Sequence, residues 1–187
     1  ALVPDPAQPL IEESPETFRP HMQSASSVIL IRPTGFGYDP ETAESNGFQQ
    51  RRNDPRITRQ AEEEFDALLH ALHNCGIHST VLDPVDPTAP NAVFPNNWFS
   101  THADGTVVIY PMHTLSRRSE RDPDMQATLQ REGFSVRQVI DLHAWEEQGL
   151  ILEGTGSLVL DRVARFAYAC LSPRTSGIAV NAWSEAL

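Results

Sequence analysis

Gly76-Ile77, leading into Val81-Leu82-Asp83, is answered later in the chain by Gly133-Phe134, leading into Val139-Ile140-Asp141. In both places a glycine ends a helical pattern and a short branched strand closes on Asp. A helix stop and strand that recur at this distance read as repeated α/β units. Before the first copy, Arg59 to Asn74 carries Ala61, Phe65, Leu68, Leu69 and Leu72 at helical spacing, a stripe that packs on a sheet. Thr58 is its expected N-cap, Glu62, Glu63 and Glu64 lie toward its positive end, and Gly76 stops it. Before the second copy a weaker helix spans about Glu120 to Glu132.

Strands fill the rest. Val28-Ile29-Leu30-Ile31 is continuous and branched, which predicts a strand buried on both faces, ended by Pro33 to Gly37. Ala92 to Trp98 leads through the Asp104-Gly105 turn into Val107-Val108-Ile109-Tyr110 as a hairpin. A third segment runs from Leu150-Ile151-Leu152 past Glu153-Gly154-Thr155-Gly156-Ser157 into Leu158-Val159-Leu160 and then Arg165 to Leu171. Ile178 to Leu187 reads as the start of another helix, so this last repeat lacks its closing strand. The expected modules are about 27–90, 91–148 and 149–187, the last incomplete. Residues 1–26 carry five prolines without periodicity and are expected to form a disordered arm. Asp39 to Asp54, polar and without a core stripe, is expected to be a lid loop.

The chain's 187 residues suffice for one domain with a core, burying roughly 70% of the unfolded surface. Cys75 and Cys170, with no zinc-finger spacing around them, suit a reducing, cytoplasmic compartment. The net charge of −11 opposes binding to nucleic acid or to an anionic membrane and favours a small-molecule partner. No apolar stretch approaches the roughly 20 residues of a membrane span.

The candidate site residues sit where strands begin or end. Asn96 and Asn97, set between Pro95 and Trp98, read equally as a turn or as amides that must find partners on leaving water. Glu153 follows three apolar residues and precedes two glycines, which suggests a carboxylate beside a pocket; a satisfied buried acid and a metal ligand are the other readings. The seven His residues form no ligand pattern, and His70 and His73 lie on the polar side of their helix, so no metal is expected. Cys75 and Cys170 read as inert packing residues. Arg117, Arg118 and Arg121 read first as a solvated helix start and second as a substrate clamp. Arg174, on a loop at a strand end, is the better clamp, able to grip a carboxylate with two parallel hydrogen bonds. Asp104 and Asp161 read as turn residues.

Taken in order, these pieces resemble the guanidine-modifying, or pentein, superfamily of arginine deiminases, dimethylarginine hydrolases and amidinotransferases. The nearest likeness is to the citrulline-hydrolase type of amidinotransferase-like proteins. The resemblance covers about Ser27 to Leu187. It rests on Ile31-Arg32-Pro33 with Phe36-Gly37-Tyr38, on Pro90-Asn91-Ala92-Val93-Phe94-Pro95-Asn96-Asn97-Trp98, and on Ser116-Arg117-Arg118-Ser119-Glu120. Leu152 to Ser157 and Leu171-Ser172-Pro173-Arg174-Thr175 complete it.

The resemblance implies a five-bladed α/β propeller of ββαβ modules, of which this chain supplies roughly the first half. It implies no cofactor. In such enzymes a Cys thiolate attacks the guanidino or ureido carbon, a His moves protons to and from the leaving amine, and a carboxylate orients the His. By resemblance Glu153 is that carboxylate, Arg174 and then Arg118 hold the amino acid's own carboxylate, and the Phe36–Tyr38 loop is the lid. Relatives acting on a cation place acids where this chain has Asn91, Asn96, Asn97 and Gly156. Amides that donate and accept suit a neutral ureido group such as citrulline's better than a guanidinium, which needs counter-charge. The resemblance places the catalytic His and Cys beyond the modules present here, with His102, His113 and Cys170 in structural positions, so the chain alone is expected to be inactive. Arginine deiminase or amidinotransferase activity is the alternative within the class, and a non-catalytic pentein-like binding module the alternative outside it. An incomplete propeller would also leave apolar blade edges open to self-association.

Overall fold

In the computed structural model residues 23–51 and 54–187 are described, so most of the expected arm lies outside the description. Among the described residues the strands form three sheets, of two, three and two strands. β1 (Ser27–Ile31) and β2 (His78–Leu82) pair in parallel, with Val28 opposite Ser79 and Leu30 opposite Val81. They are joined through α1 (Pro40–Ala43) and α2 (Ile57–Asn74). In the central sheet β3 (Phe99–Thr101) is antiparallel to β4 (Thr106–Ile109), which is parallel to β5 (Gln138–Asp141). α3 (Leu115–Arg118) and α4 (Met125–Arg131) lie between β4 and β5. The third sheet is the antiparallel hairpin of β6 (Leu158–Asp161) and β7 (Phe166–Ala169), preceded by α5 (Gly154–Ser157) and followed by α6 (Gly177–Ala186).

The core divides across the central sheet because neighbouring residues of β4 face opposite ways. Val108 packs with Tyr110, Leu142, Leu152, Leu158 and Trp183 on one side. Val107 packs with Trp98, Phe99, Met112, Met125 and Leu129 on the other.

Several expectations change. α2 begins at Ile57 with Arg56 at its cap, and Thr58 instead donates its hydroxyl to the Phe36 carbonyl. Gly76 does end the helix region, at φ +72°. The α2 stripe is only half-buried, and Leu68 is 46% exposed, because a two-stranded sheet cannot cover a whole helix face. For the same reason β1 is buried only at Ile31, not on both faces. Ala92 to Trp98 forms no strand: Pro95, which lacks an N–H, starts a 3₁₀ turn over Pro95–Asn97, and the hairpin begins at Phe99. The second helix starts late, at Met125, two residues after Pro123. Leu150-Ile151-Leu152 contributes a single bridge, Leu152 to Thr175, in place of a strand. Cys75 and Cys170 are both exposed free thiols, so neither is a packing residue. No described helix is long and apolar enough to cross a membrane.

Candidate functional site

α1 lies at the start of the stretch expected to be a lid loop, and its cap is buried. Asp39 is 3% exposed and closes the helix N-terminus, its Oδ1 accepting from the Glu41 and Thr42 amides at 3.0 and 3.4 Å. Its Oδ2 accepts from the Thr42 hydroxyl at 2.6 Å, Asn91 Nδ2 at 2.7 Å and the Ser116 hydroxyl at 3.1 Å. Burial pushes the Asp39 carboxyl up, but the bonds from Thr42, Ser116 and Glu41 outweigh it and leave it below the ordinary carboxylate value. Five donors on one carboxylate tie α1, Asn91 and α3 together. Asn91 Oδ1 accepts from Gln49 Nε2 at 2.9 Å, so both ends of this side-chain amide serve the scaffold. A cavity of about 490 Å³ opens beside it, lined by Phe36, Tyr38, Phe48, Gln49 and Phe94.

Arg117 is the buried centre of the next layer, with a side chain 2% exposed. Its NH2 and Nε reach Glu120 at 2.8 and 3.0 Å, and its NH1 donates to Asn97 Oδ1 at 2.7 Å. NH2 also reaches the carbonyls of Asn91 and Phe94, both at 3.4 Å. Glu120 is raised by burial, with Arg117 acting against that shift. The solvated reading of this arginine cluster is therefore wrong. The short helix α3 turns Arg117 inward, and the i,i+3 partner Glu120 supplies the charge without which burial would be costly.

Glu153 lies beside it, 1% exposed. Its Oε1 accepts from the His113 amide at 3.0 Å. Its Oε2 has no hydrogen bond, although Arg174 NH1 and Arg117 NH1 stand 3.5 and 3.9 Å away. One oxygen is fixed by backbone and the other is left as a buried acceptor between two cations. Arg174 holds this position by donating to the Thr42 carbonyl at 3.1 Å and to the Ser45 hydroxyl at 2.9 Å, which links the third sheet's loop to α1.

The turn Pro95–Asn97 and α5 pack so closely that only glycine fits between them. A Cβ on Gly156 would fall on the Asn97 amide nitrogen, and one on Gly154 would fall on the Asn96 carbonyl. Asn96 is exposed and bonds Thr155 Oγ1 at 2.9 Å across the same seam.

Of the expected residues, then, Asn91, Asn97, Glu153 and Arg174 come together around Arg117, and Asn96 lies at the rim. Arg118 does not join them: it pairs with Glu146 at 3.2 Å and donates to the Met112 carbonyl, in a cluster that Arg121 completes. Sequence reasoning missed Asp39 and Glu120 and ranked Arg117 first as a solvated residue. Asp39-Pro40-Glu41-Thr42 is a readable cap and Arg117 to Glu120 a readable i,i+3 pair, but neither spacing reveals burial. Asp104 and Asp161 are turn residues, accepting from the amides of Thr106 and of Val163 and Ala164. His102 bonds Ser100 Oγ at 3.0 Å, in a chain that leads to Tyr110. Among the described residues no three His, Cys, Asp or Glu side chains cluster as a metal site.

The family profile described as N,N dimethylarginine dimethylhydrolase, eukaryotic, matches residues 32–187. No curated protein sequence matches the chain. Among solved structures, a mutant dimethylarginine dimethylaminohydrolase from Pseudomonas aeruginosa complexed with citrulline is 18% identical, with a TM-score of 0.59 over 84% of this chain and 54% of that one. The product-bound N-terminal domain of ArgZ, a cyanobacterial arginine dihydrolase of the ornithine-ammonia cycle, is 19% identical, with a TM-score of 0.60 over 85% and 53%. Whole ArgZ in its apo form gives 20% identity and a TM-score of 0.58, over 82% of this chain and 21% of that one. At these identities the likeness is one of fold, and the chain spans about half the length of the domains it matches.

Proposed function

This chain belongs to the N,N dimethylarginine dimethylhydrolase family, and from that premise we propose that it is part of a Cys-dependent hydrolase cleaving a carbon–nitrogen bond of citrulline or a close ureido relative. The observation that carries the reading is Glu153. A buried carboxylate with one oxygen held by the His113 amide and the other without a hydrogen bond is prepared to receive one donor. An imidazole N–H would satisfy it, and the carboxylate would then fix the tautomer and orientation of a proton-moving His. That His and the nucleophilic Cys belong, on this reading, to polypeptide outside these residues, within a five-bladed propeller of which the three sheets are the first modules. The 187-residue chain alone is then inactive.

Charge supports a neutral substrate. Glu120 is neutralised by Arg117, and a ligand reaching Glu153 Oε2 enters beside the guanidiniums of Arg117 and Arg174. The pairs Arg117–Glu120 and Arg174–Glu153 balance one another and leave no spare counter-charge for a cationic guanidinium, which a ureido group does not need. Arg174 remains the proposed grip for the amino acid's carboxylate. Arg118 is engaged with Glu146 and Arg117 with Glu120 and Asn97, so neither shares that grip. Asn97 and Asn96 supply amides to the ligand's polar end, and Asn91 acts through Asp39 on the site wall. The neighbour complexed with citrulline is consistent with such a ligand.

The test is Glu153→Gln in the protein expressed from its complete coding sequence. The amide keeps the shape but cannot stabilise an imidazolium, so turnover should fall by about 10²-fold or more while citrulline binding changes little. Unchanged turnover would refute the role.

A further inference from the structure

Arg174 is the proposed grip for the ligand's carboxylate, yet neither of its forked edges is free to close on one. A guanidinium holds a carboxylate best with two parallel N–H groups, offered by Nε with NH2 or by NH1 with NH2. In Arg174 the Nε and NH2 groups converge on the Ser45 hydroxyl, at 3.2 and 2.9 Å. NH2 also donates to the Thr42 carbonyl at 3.1 Å, while NH1 faces Glu153 Oε2 at 3.5 Å. The first edge is thus filled by a single oxygen, and the second is divided between a carbonyl and a carboxylate. The Ser45 hydroxyl in turn donates to the Thr42 carbonyl at 3.4 Å, so its oxygen and its proton are both engaged.

Thr42 lies in α1 and Ser45 just past its end, and this segment is fastened to the site without help from Arg174. Asp39 caps α1 and accepts from Asn91 and Ser116. The Glu41 carboxylate accepts from the Leu115 and Ser116 amides at 2.9 and 2.8 Å. Beyond Ser45, Gln49 donates to Asn91 Oδ1 and accepts from the Asp39 amide. Ser45 is exposed and lies between these anchors, so loss of its hydroxyl frees the Nε–NH2 edge without releasing α1. A neutral hydroxyl bonds a guanidinium less strongly than a carboxylate does. A ligand carboxylate can therefore displace Ser45, but it binds more weakly than it would to an unoccupied edge.

We propose that Ser45 is a specificity-determining residue: its hydroxyl competes with the ligand's α-carboxylate for the Nε–NH2 edge of Arg174, and so lowers the affinity for ligands that carry a carboxylate at that end. The inference rests on the functional reading above, in which Arg174 meets the amino acid's carboxylate. The competing role, in which Ser45 holds Arg174 ready for the carboxylate, has the opposite sign: loss of the hydroxyl would then weaken binding.

Calorimetric titration separates the two in the protein expressed from its complete coding sequence, with L-citrulline and with L-citrullinamide, in which an amide replaces the carboxylate. Ser45→Ala should tighten citrulline binding by about 3–10-fold, the worth of a hydrogen bond that the ligand no longer has to displace. Citrullinamide binding should not change. In an Arg174→Gln background Ser45→Ala should leave citrulline binding unaltered as well, because the contested edge is gone. Unchanged or weaker citrulline binding by Ser45→Ala, an equal gain for both ligands, or a gain that survives in Arg174→Gln would overturn the proposal. The expected pattern of binding without turnover of citrulline would overturn the functional reading alone, and failure of the unsubstituted protein to bind citrulline would overturn both.

Discussion

Arg117 is the residue of the site whose loss should be felt most. Its guanidinium sits 2.8 Å from Glu120, and the two side chains are 2% and 1% exposed. Arg117→Met leaves Glu120 a buried, unpaired charge and should cost about 3–5 kcal/mol in urea unfolding. Arg117→Met with Glu120→Leu removes both charges and should cost less than the single change, which a comparison of midpoints checks. The sequence hid this pair because three arginines in a helix start usually face water, and Asn97, which accepts from Arg117, lies in a different element. His102 offers a pH test. Burial, and then the Arg162 charge, lower its pKa below the usual value of about 6.5, while Asp104 acts weakly the other way. The folded state therefore prefers the neutral ring. Stability should be level above about pH 6.5 and decline as pH falls from there toward the folded-state value, because the unfolded chain binds the proton first. His102→Asn should flatten this part of the profile, and an unchanged slope would contradict it.

At the level of elements, the seam between the Pro95–Asn97 turn and α5 is what builds the site. Gly156→Ala must displace the Asn97 amide that accepts from Arg117, and should cost about 1–3 kcal/mol. Gly154→Ala meets a backbone carbonyl at φ +33° and should cost more than Gly156→Ala. Gly76→Ala also requires a positive φ, +72°, but has nothing within 4 Å, so only the left-handed strain of about 1–2 kcal/mol applies. Urea midpoints in that order support the seam, and a Gly76 variant as damaging as Gly154→Ala would not. Much of this level was legible. α2, α6, β4 with the Asp104-Gly105 turn before it, and the repeated helix-stop-strand follow from periodicity and turn residues. The turn at Pro95 was not, since Ala92 to Trp98 is apolar enough to pass for a strand until the missing proline N–H is weighed. Nor was α1, whose residues are polar yet buried through hydrogen bonds, with no hydrophobic stripe to betray them.

On the scale of the whole molecule, part of the exposed apolar surface of the described residues lies on the β6–β7 hairpin. Val159 and Tyr168, paired across the β6–β7 hairpin, are 69% and 61% exposed, and Phe166 is 63% exposed. Faces of this kind are interaction surfaces, and on the proposed propeller they would meet further modules or a second copy. The α/β class and its repeats could be read from the sequence because helices and strands alternate in it. The convergence of Asp39, Asn97, Arg117, Glu153 and Arg174 could not, since residues from five segments meet only after folding. The most direct measurement is ammonia release from L-citrulline and from L-arginine by the protein expressed from its complete coding sequence, with the 187-residue chain assayed alongside. The expected result is a higher kcat/KM for citrulline and no release above blank by the short chain. Faster hydrolysis of arginine, or turnover by the 187 residues alone, would contradict it.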